Sequence, residues 1–191
     1  MKKTILFVSF LCCLATTKAQ IQQGNVLVGG DIADFSLGLN DGGAFNVSLN
    51  PKAAWFVRNG IALGAYANLG LNAAKYIKPS TSYGVGALGR YYLTDANATV
   101  LRKTRFFAEA TVGIEGYNPG EGSNTNGLGM TAGPGVAYFV TPNIGLEALA
   151  KYRGIVGFGS SVTSSNLMLG IGFQIYLSRN KIESEMNGIK N

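Results

Sequence analysis

The chain has 191 residues, enough for one domain, and only 14% of them are charged, against about 25% in an ordinary soluble domain. It carries 27 glycines, no histidine, a formal net charge of +6 and a mean hydropathy of +0.17. Histidine-based acid–base and metal chemistry is thereby excluded, and the basic residues form no stripe of the kind nucleic-acid binding needs.

The N-terminus reads as a secretory signal. Lys2 and Lys3 form a charged start, Ile5 to Ala15 a short apolar run, and Thr17-Lys18-Ala19 a small-x-small end, so cleavage is expected after Ala19. The run is shorter than the roughly 20 residues of a spanning helix. Removing Lys2, Lys3 and Lys18 lowers the net charge from +6 to +3. The two cysteines, Cys12 and Cys13, lie inside this segment, and Phe10 and Leu11 before them are too large for a lipidation signal. The mature chain then has no disulfide and no thiolate metal site. The expected organisation is signal peptide 1–19, barrel 20–178 and polar tail 179–191.

From residue 20 onward the pattern has period two. Eight strands are predicted, at about 23–36, 43–57, 61–71, 82–94, 106–116, 127–140, 144–152 and 166–177. The last is the clearest. Leu167, Leu169, Ile171, Phe173, Ile175 and Leu177 share one face, while Asn166, Met168, Gly170, Gly172, Gln174 and Tyr176 share the other. Arg58-Asn59-Gly60 is a tight hairpin turn, since Asn-Gly supplies positive φ values, and Thr141-Pro142-Asn143 is a second short turn. Polar, Gly/Ser/Asn-rich links at about 37–42, 74–81, 118–126 and 157–163 read as longer loops. The link 95–103 breaks the alternation of short and long connections.

A hydrophobic chain with no spanning helix after its first residues must place its apolar surface elsewhere, and a closed barrel satisfies every backbone group in lipid. The polar strand face is mostly Gly, Ala, Ser, Thr and Asn, too poor in charge for a soluble exterior. The fold class is therefore all-β: a closed antiparallel up-and-down transmembrane β-barrel of about eight strands, apolar outside and polar inside. The strand charges then point inward. These are Asp31, Glu109, Glu115 and Glu147 against Lys52, Arg90, Lys151 and Arg153, a balanced set expected to form a plugging ion-pair network. Aromatic residues near the short-turn strand ends, Trp55, Tyr91 and Tyr176 among them, are expected at the membrane interface.

Several segments resemble the small outer-membrane barrels of the OmpX/OmpA-like type. They are Pro51-Lys52-Ala53-Ala54-Trp55-Phe56-Val57, the following Asn59-Gly60-Ile61-Ala62-Leu63-Gly64, Gly89-Arg90-Tyr91-Tyr92-Leu93, and Phe106-Phe107-Ala108-Glu109-Ala110. The resemblance spans about 21–177 and departs from the family at Ala54, where Gly is usual, and at Leu177, where an aromatic is usual. It implies the outer membrane of a Gram-negative bacterium, with surrounding lipids and the barrel-assembly machinery as partners, the latter reading Gly170 to Leu177. The enzymes known on such barrels use a catalytic histidine, which is absent here.

No cofactor or metal site is read. Gly127-Leu128-Gly129 and Gly133-Pro134-Gly135 lack the Gly-Lys-Ser/Thr of a phosphate loop, and Asp31, Asp34 and Asp41 lack calcium-loop spacing. The expected function is non-enzymatic: a monomeric outer-membrane barrel with a structural or surface-interaction role through its loops. The alternatives are a narrow porin-like channel for small solutes or ions, and a soluble secreted barrel that binds an apolar ligand.

Overall fold

The computed structural model describes residues 21–37, 44–75, 77–93, 103–120, 124–158 and 163–179. The expected signal peptide, nearly all of the 95–103 link and all but the first residue of the 179–191 tail lie outside them.

The described residues form eight antiparallel strands: β1 (Val26–Leu37), β2 (Ala44–Arg58), β3 (Ile61–Ala74), β4 (Ile77–Tyr92), β5 (Thr104–Asn118), β6 (Thr125–Thr141), β7 (Ile144–Gly157) and β8 (Thr163–Leu177). Each pairs with its chain neighbours, and β8 pairs back onto β1, giving a closed barrel. Closure runs from Val26↔Leu177 to Ala33↔Gly170. It removes the open edges that a flat sheet of this hydrophobicity would present for aggregation.

One end of the barrel, the turn end, is built by two-residue links. Arg58 pairs with Ile61 across Asn59 and Gly60, and Gly60 has φ +77°, which L side chains rarely adopt. Thr141 pairs with Ile144 across Pro142 and Asn143, and its Oγ1 accepts from the amides of Asn143 (3.3 Å) and Ile144 (3.0 Å). The chain leading into β1 closes this end from below. The amide of Gly60 donates to the carbonyl of Ile21, that of Gly24 to Phe56, and that of Phe56 to Asn25.

The opposite, loop end differs from expectation. Residues 77–81 are strand rather than loop: β3 continues to Ala74, β4 starts at Ile77, and these two residues pair directly. Ser80-Thr81-Ser82 has turn-like composition, but small polar residues also suit a narrow barrel interior, and Ser80 points inward, buried. Strands β5 to β8 likewise run a few residues further toward the loop end than their apolar alternation reaches.

Candidate functional site

The interior is filled in layers. At the turn end lies an aromatic layer of Phe56, Tyr92, Phe107, Phe139 and Tyr176, each at most 4% exposed. Phe139 and Tyr176 have ring centroids 5.0 Å apart, Tyr92 and Phe107 5.5 Å, and Phe56 and Tyr92 5.8 Å. Leu27, Ala54, Ala62 and Ala137 fill the spaces between them.

Above this layer the structure places the charges anticipated from sequence. Asp31, Lys52, Arg90, Glu109, Glu115, Glu147 and Lys151 are at most 6% exposed, and the Arg153 side chain is 14% exposed. Six of them form one continuous network. Lys151 Nζ lies 2.9 Å from Asp31 Oδ2, and Lys52 Nζ lies 2.6 Å from Asp31 Oδ1 and 2.8 Å from Glu109 Oε1. Arg90 then bridges two carboxylates, donating from Nε to Glu109 Oε2 (2.9 Å) and from Nη1 to Glu147 Oε1 (2.8 Å). Its guanidinium also stacks 4.1 Å from the centroid of the Phe107 ring. The phenols complete the circuit: Arg90 Nη1 donates to Tyr92 Oη (2.9 Å), Tyr92 and Tyr176 share a hydrogen bond (2.7 Å), and Tyr176 Oη donates to Glu147 (2.9 Å). The network thus joins the charged layer to the aromatic layer and ties β1, β2, β4, β5, β7 and β8 together across the lumen.

Glu115 and Arg153 form a separate pair nearer the loop end, with Tyr66 Oη donating to Glu115 Oε1 (3.2 Å). Two glycines make room for this cluster. A Cβ at Gly129 would stand 2.3 Å from the Glu115 carboxyl carbon, and one at Gly113 would stand 2.8 Å from Tyr66 Oη. Gly129 therefore leaves the volume that a large side chain from the neighbouring strand occupies.

Between the network and the Glu115–Arg153 pair is a cavity of about 20 Å³, room for a water or two. Above the pair the lumen widens into a vestibule of about 560 Å³. Its floor is Glu115 and Arg153, and Ser48, Asn72, Ser80 and Ser82 are among its polar walls. Its wall is not legible in the alternation, because Asn72 and Ser80 fall in or beside the segment 74–81 that reads as a loop.

The outer surface is the reverse of the interior. Leu63, Val85, Ile114, Leu146 and Ile171 are each at least 50% exposed on their own strands, part of a contiguous apolar belt. An apolar surface of that extent is unsuited to water. Trp55 (58%), Tyr91 (50%) and Tyr138 (50%) stand outward near its turn-end margin. Tyr176 does not. Placed at the interface from sequence, it is 1% exposed and points into the lumen. Its nearness to the strand end suggested a girdle, but its parity with Gln174 and Gly172 puts it inside. Near the loop end Tyr83, Tyr117 and Phe158 also stand outward. Tyr83 and Tyr91 lie on one face of β4, eight residues apart. That is about 26 Å along a strand, or roughly 20 Å across the barrel for a tilt near 40°. The spacing is comparable to the roughly 25 Å apolar band of outer-membrane barrels.

No protein-family model and no curated protein matches the sequence. Solved structures match along nearly their whole length. The chain is 17% identical to Neisserial surface protein A (TM-score 0.53), covering 81% of this chain and 94% of that one. For the N-terminal β-barrel domain of Pseudomonas aeruginosa OprF the values are 13%, 0.52, 81% and 98%. For the outer membrane protein OprG of Pseudomonas aeruginosa they are 10%, 0.51, 84% and 99%. At these identities the likeness establishes the fold: the chain has the closed eight-stranded architecture of small outer-membrane barrels.

Proposed function

We propose that the chain is a non-enzymatic integral protein of the Gram-negative outer membrane, a monomeric barrel closed to ions that offers its loop end to the cell exterior. The observation that carries this reading is the inversion of the barrel. An apolar belt bounded by outward aromatics surrounds an interior in which, among the described residues, four acids and four bases are all ion-paired. A soluble barrel would be built the other way round. The aromatic layer and the six-residue network together fill the turn-end part of the lumen, so the role falls to the barrel body and to the surface around the vestibule. The chain lacks histidine, so no familiar nucleophile–histidine pair can be assembled. Delivery through the secretory pathway, insertion by the barrel-assembly machinery and contact with outer-membrane lipids follow from the same reading.

Two measurements test it. The mature protein is expected to stay with membranes through a carbonate wash, to need detergent for extraction and to migrate differently on gels before and after heating. Release by carbonate alone would overturn the membrane assignment. In a planar bilayer no steady single-channel openings are expected, and regular openings would favour the narrow-channel reading instead.

A further inference from the structure

The vestibule is not walled evenly. The β5–β6 ladder runs unbroken from Thr104↔Tyr138 to Tyr117↔Thr125. The β1–β8 ladder stops at Ala33↔Gly170, although both strands continue. Beyond that point β1 follows β2, with Ser36↔Asn46 and Leu37↔Phe45 after a register shift. β8 follows β7, with Tyr152↔Leu167, Arg153↔Asn166 and Ile155↔Ser164. Among the described residues, Asp34–Leu37 and Thr163–Leu169 are therefore adjacent strand segments with no ladder between them.

This split lies in the side wall of the vestibule. The lining residues Asn46 and Ser48 pair with Ser36 and Ala33 on β1, and the lining residues Arg153 and Ile155 pair with Asn166 and Ser164 on β8. On the outer surface beside it stand Leu167 and Leu169, 78% and 74% exposed, the most exposed large apolar side chains among the described residues. Unpaired backbone in hydrocarbon costs several kcal/mol per group and is tolerated where it borders a cavity. Here it does border one. That cavity has a polar, charge-balanced floor, and its volume is in the usual range for small-molecule sites, about 300–1,000 Å³.

We propose that the split β1–β8 seam is a lateral portal between the outer leaflet and the vestibule. Its occupant would be a single-chain amphiphile with an uncharged or zwitterionic head. The head sits on the Glu115–Arg153 floor among Ser48, Asn72, Ser80 and Ser82, and the chain leaves through the seam past Leu167 and Leu169. A floor with one paired acid and one paired base favours neither a free anion nor a free cation. Serine hydroxyls and an asparagine amide offer both donors and acceptors to a polar head. The proposal rests on the outer-membrane reading above.

The test is photolabelling of the chain from Gln20 onward in lipid nanodiscs. The probe is a lysophosphatidylcholine carrying a diazirine close to its head, compared with a chainless glycerophosphocholine carrying the same group. Labelled residues are read by mass spectrometry. The lysolipid is expected to mark the belt at Leu167, Leu169 and Ile171 and also the vestibule at Ser48, Ser80 and Ser82. The chainless probe is expected to mark the vestibule at least tenfold less. Leu167→Arg with Leu169→Arg, which puts two charges on the outer surface beside the seam, is expected to lower the vestibule labels at least tenfold and keep the belt label at Ile171. Belt labels alone would overturn the portal, as would equal vestibule labelling by the chainless probe, or vestibule labels unchanged by the two arginines. The two-probe comparison decides the matter even where the arginine variant does not insert. Absence of belt labels would instead sink the outer-membrane reading itself.

Discussion

Arg90 shows what a single interior side chain does in this barrel. It is 2% exposed, and it satisfies Glu109 and Glu147 at once while donating to Tyr92. Arg90→Met leaves Glu147 in a dry lumen with only the Tyr176 hydroxyl, and Glu109 with only Lys52. Breaking one partner of a buried ionic cluster costs about 3–5 kcal/mol. Urea unfolding of the mature protein in phospholipid vesicles should show a loss of that size, and wild-type stability would mean that the carboxylates find water. Arg90→Lys should recover only part, because a single ammonium cannot reproduce the planar fork between two carboxylates. Gly129 inside the lumen and Gly154 on the outer face, in step with Tyr152 and Val156, make a sharper comparison. A Cβ at Gly129 meets the Glu115 carboxyl, whereas a Cβ at Gly154 meets nothing within 4 Å. Gly129→Ala should therefore cost about 1–3 kcal/mol by overpacking, and Gly154→Ala should stay within about 0.5 kcal/mol of wild type. The same unfolding assay distinguishes them, and equal effects would mean that the Glu115 side chain simply moves aside.

Among the elements, β8 carries the clearest evidence of which face meets lipid. Its odd-numbered residues Leu167, Leu169, Ile171 and Phe173 are all more than half exposed, while Gly170, Gln174 and Tyr176 are buried. On the outer-membrane reading Ile171 faces the middle of the bilayer. Ile171→Arg should then cost about 2–4 kcal/mol in vesicles, and an arginine at the strand end, at Leu177, about 0–1 kcal/mol. A soluble barrel would tolerate both equally, so equal effects would count against the membrane. The strand also shows what alternation can and cannot convey. Period two assigns each residue to a face, and Tyr176 was already on the inner face by parity. Nearness to the strand end favours the interface, and in Tyr176 parity outweighs it. Ser80 escapes the pattern for a different reason. Beyond the apolar belt the outer face no longer has to be hydrophobic, so alternation fades while the hydrogen-bonded ladder continues. Partner choice inside the lumen was not legible either. Alternation sends Glu109 and Glu115 inward, but the stagger between strands decides their levels. It puts Glu109 with Lys52 and Arg90, and Glu115 with Arg153.

For the whole molecule the question is which layer closes the barrel. Two candidates are stacked: the ionic network, and beneath it the aromatic layer of Phe56, Tyr92, Phe107, Phe139 and Tyr176. They are separable because the network can be neutralised as a unit. Lys52→Met, Arg90→Met, Glu109→Gln and Glu147→Gln together remove two bases and two acids, leaving Asp31 paired with Lys151 and Glu115 paired with Arg153. Replacing a whole buried ionic cluster by groups of similar volume is often neutral or stabilising, whereas removing one member is not. The quadruple variant should therefore be more stable than Arg90→Met alone, by roughly the same 3–5 kcal/mol that the single change costs. It should also remain silent in a planar bilayer, since the rings still fill the turn end. If steady openings appear in the quadruple variant while heat-modifiable migration shows the barrel intact, the charges rather than the rings are the seal. The narrow-channel reading would then regain its footing, with Arg90, in contact with both layers, as the residue to follow.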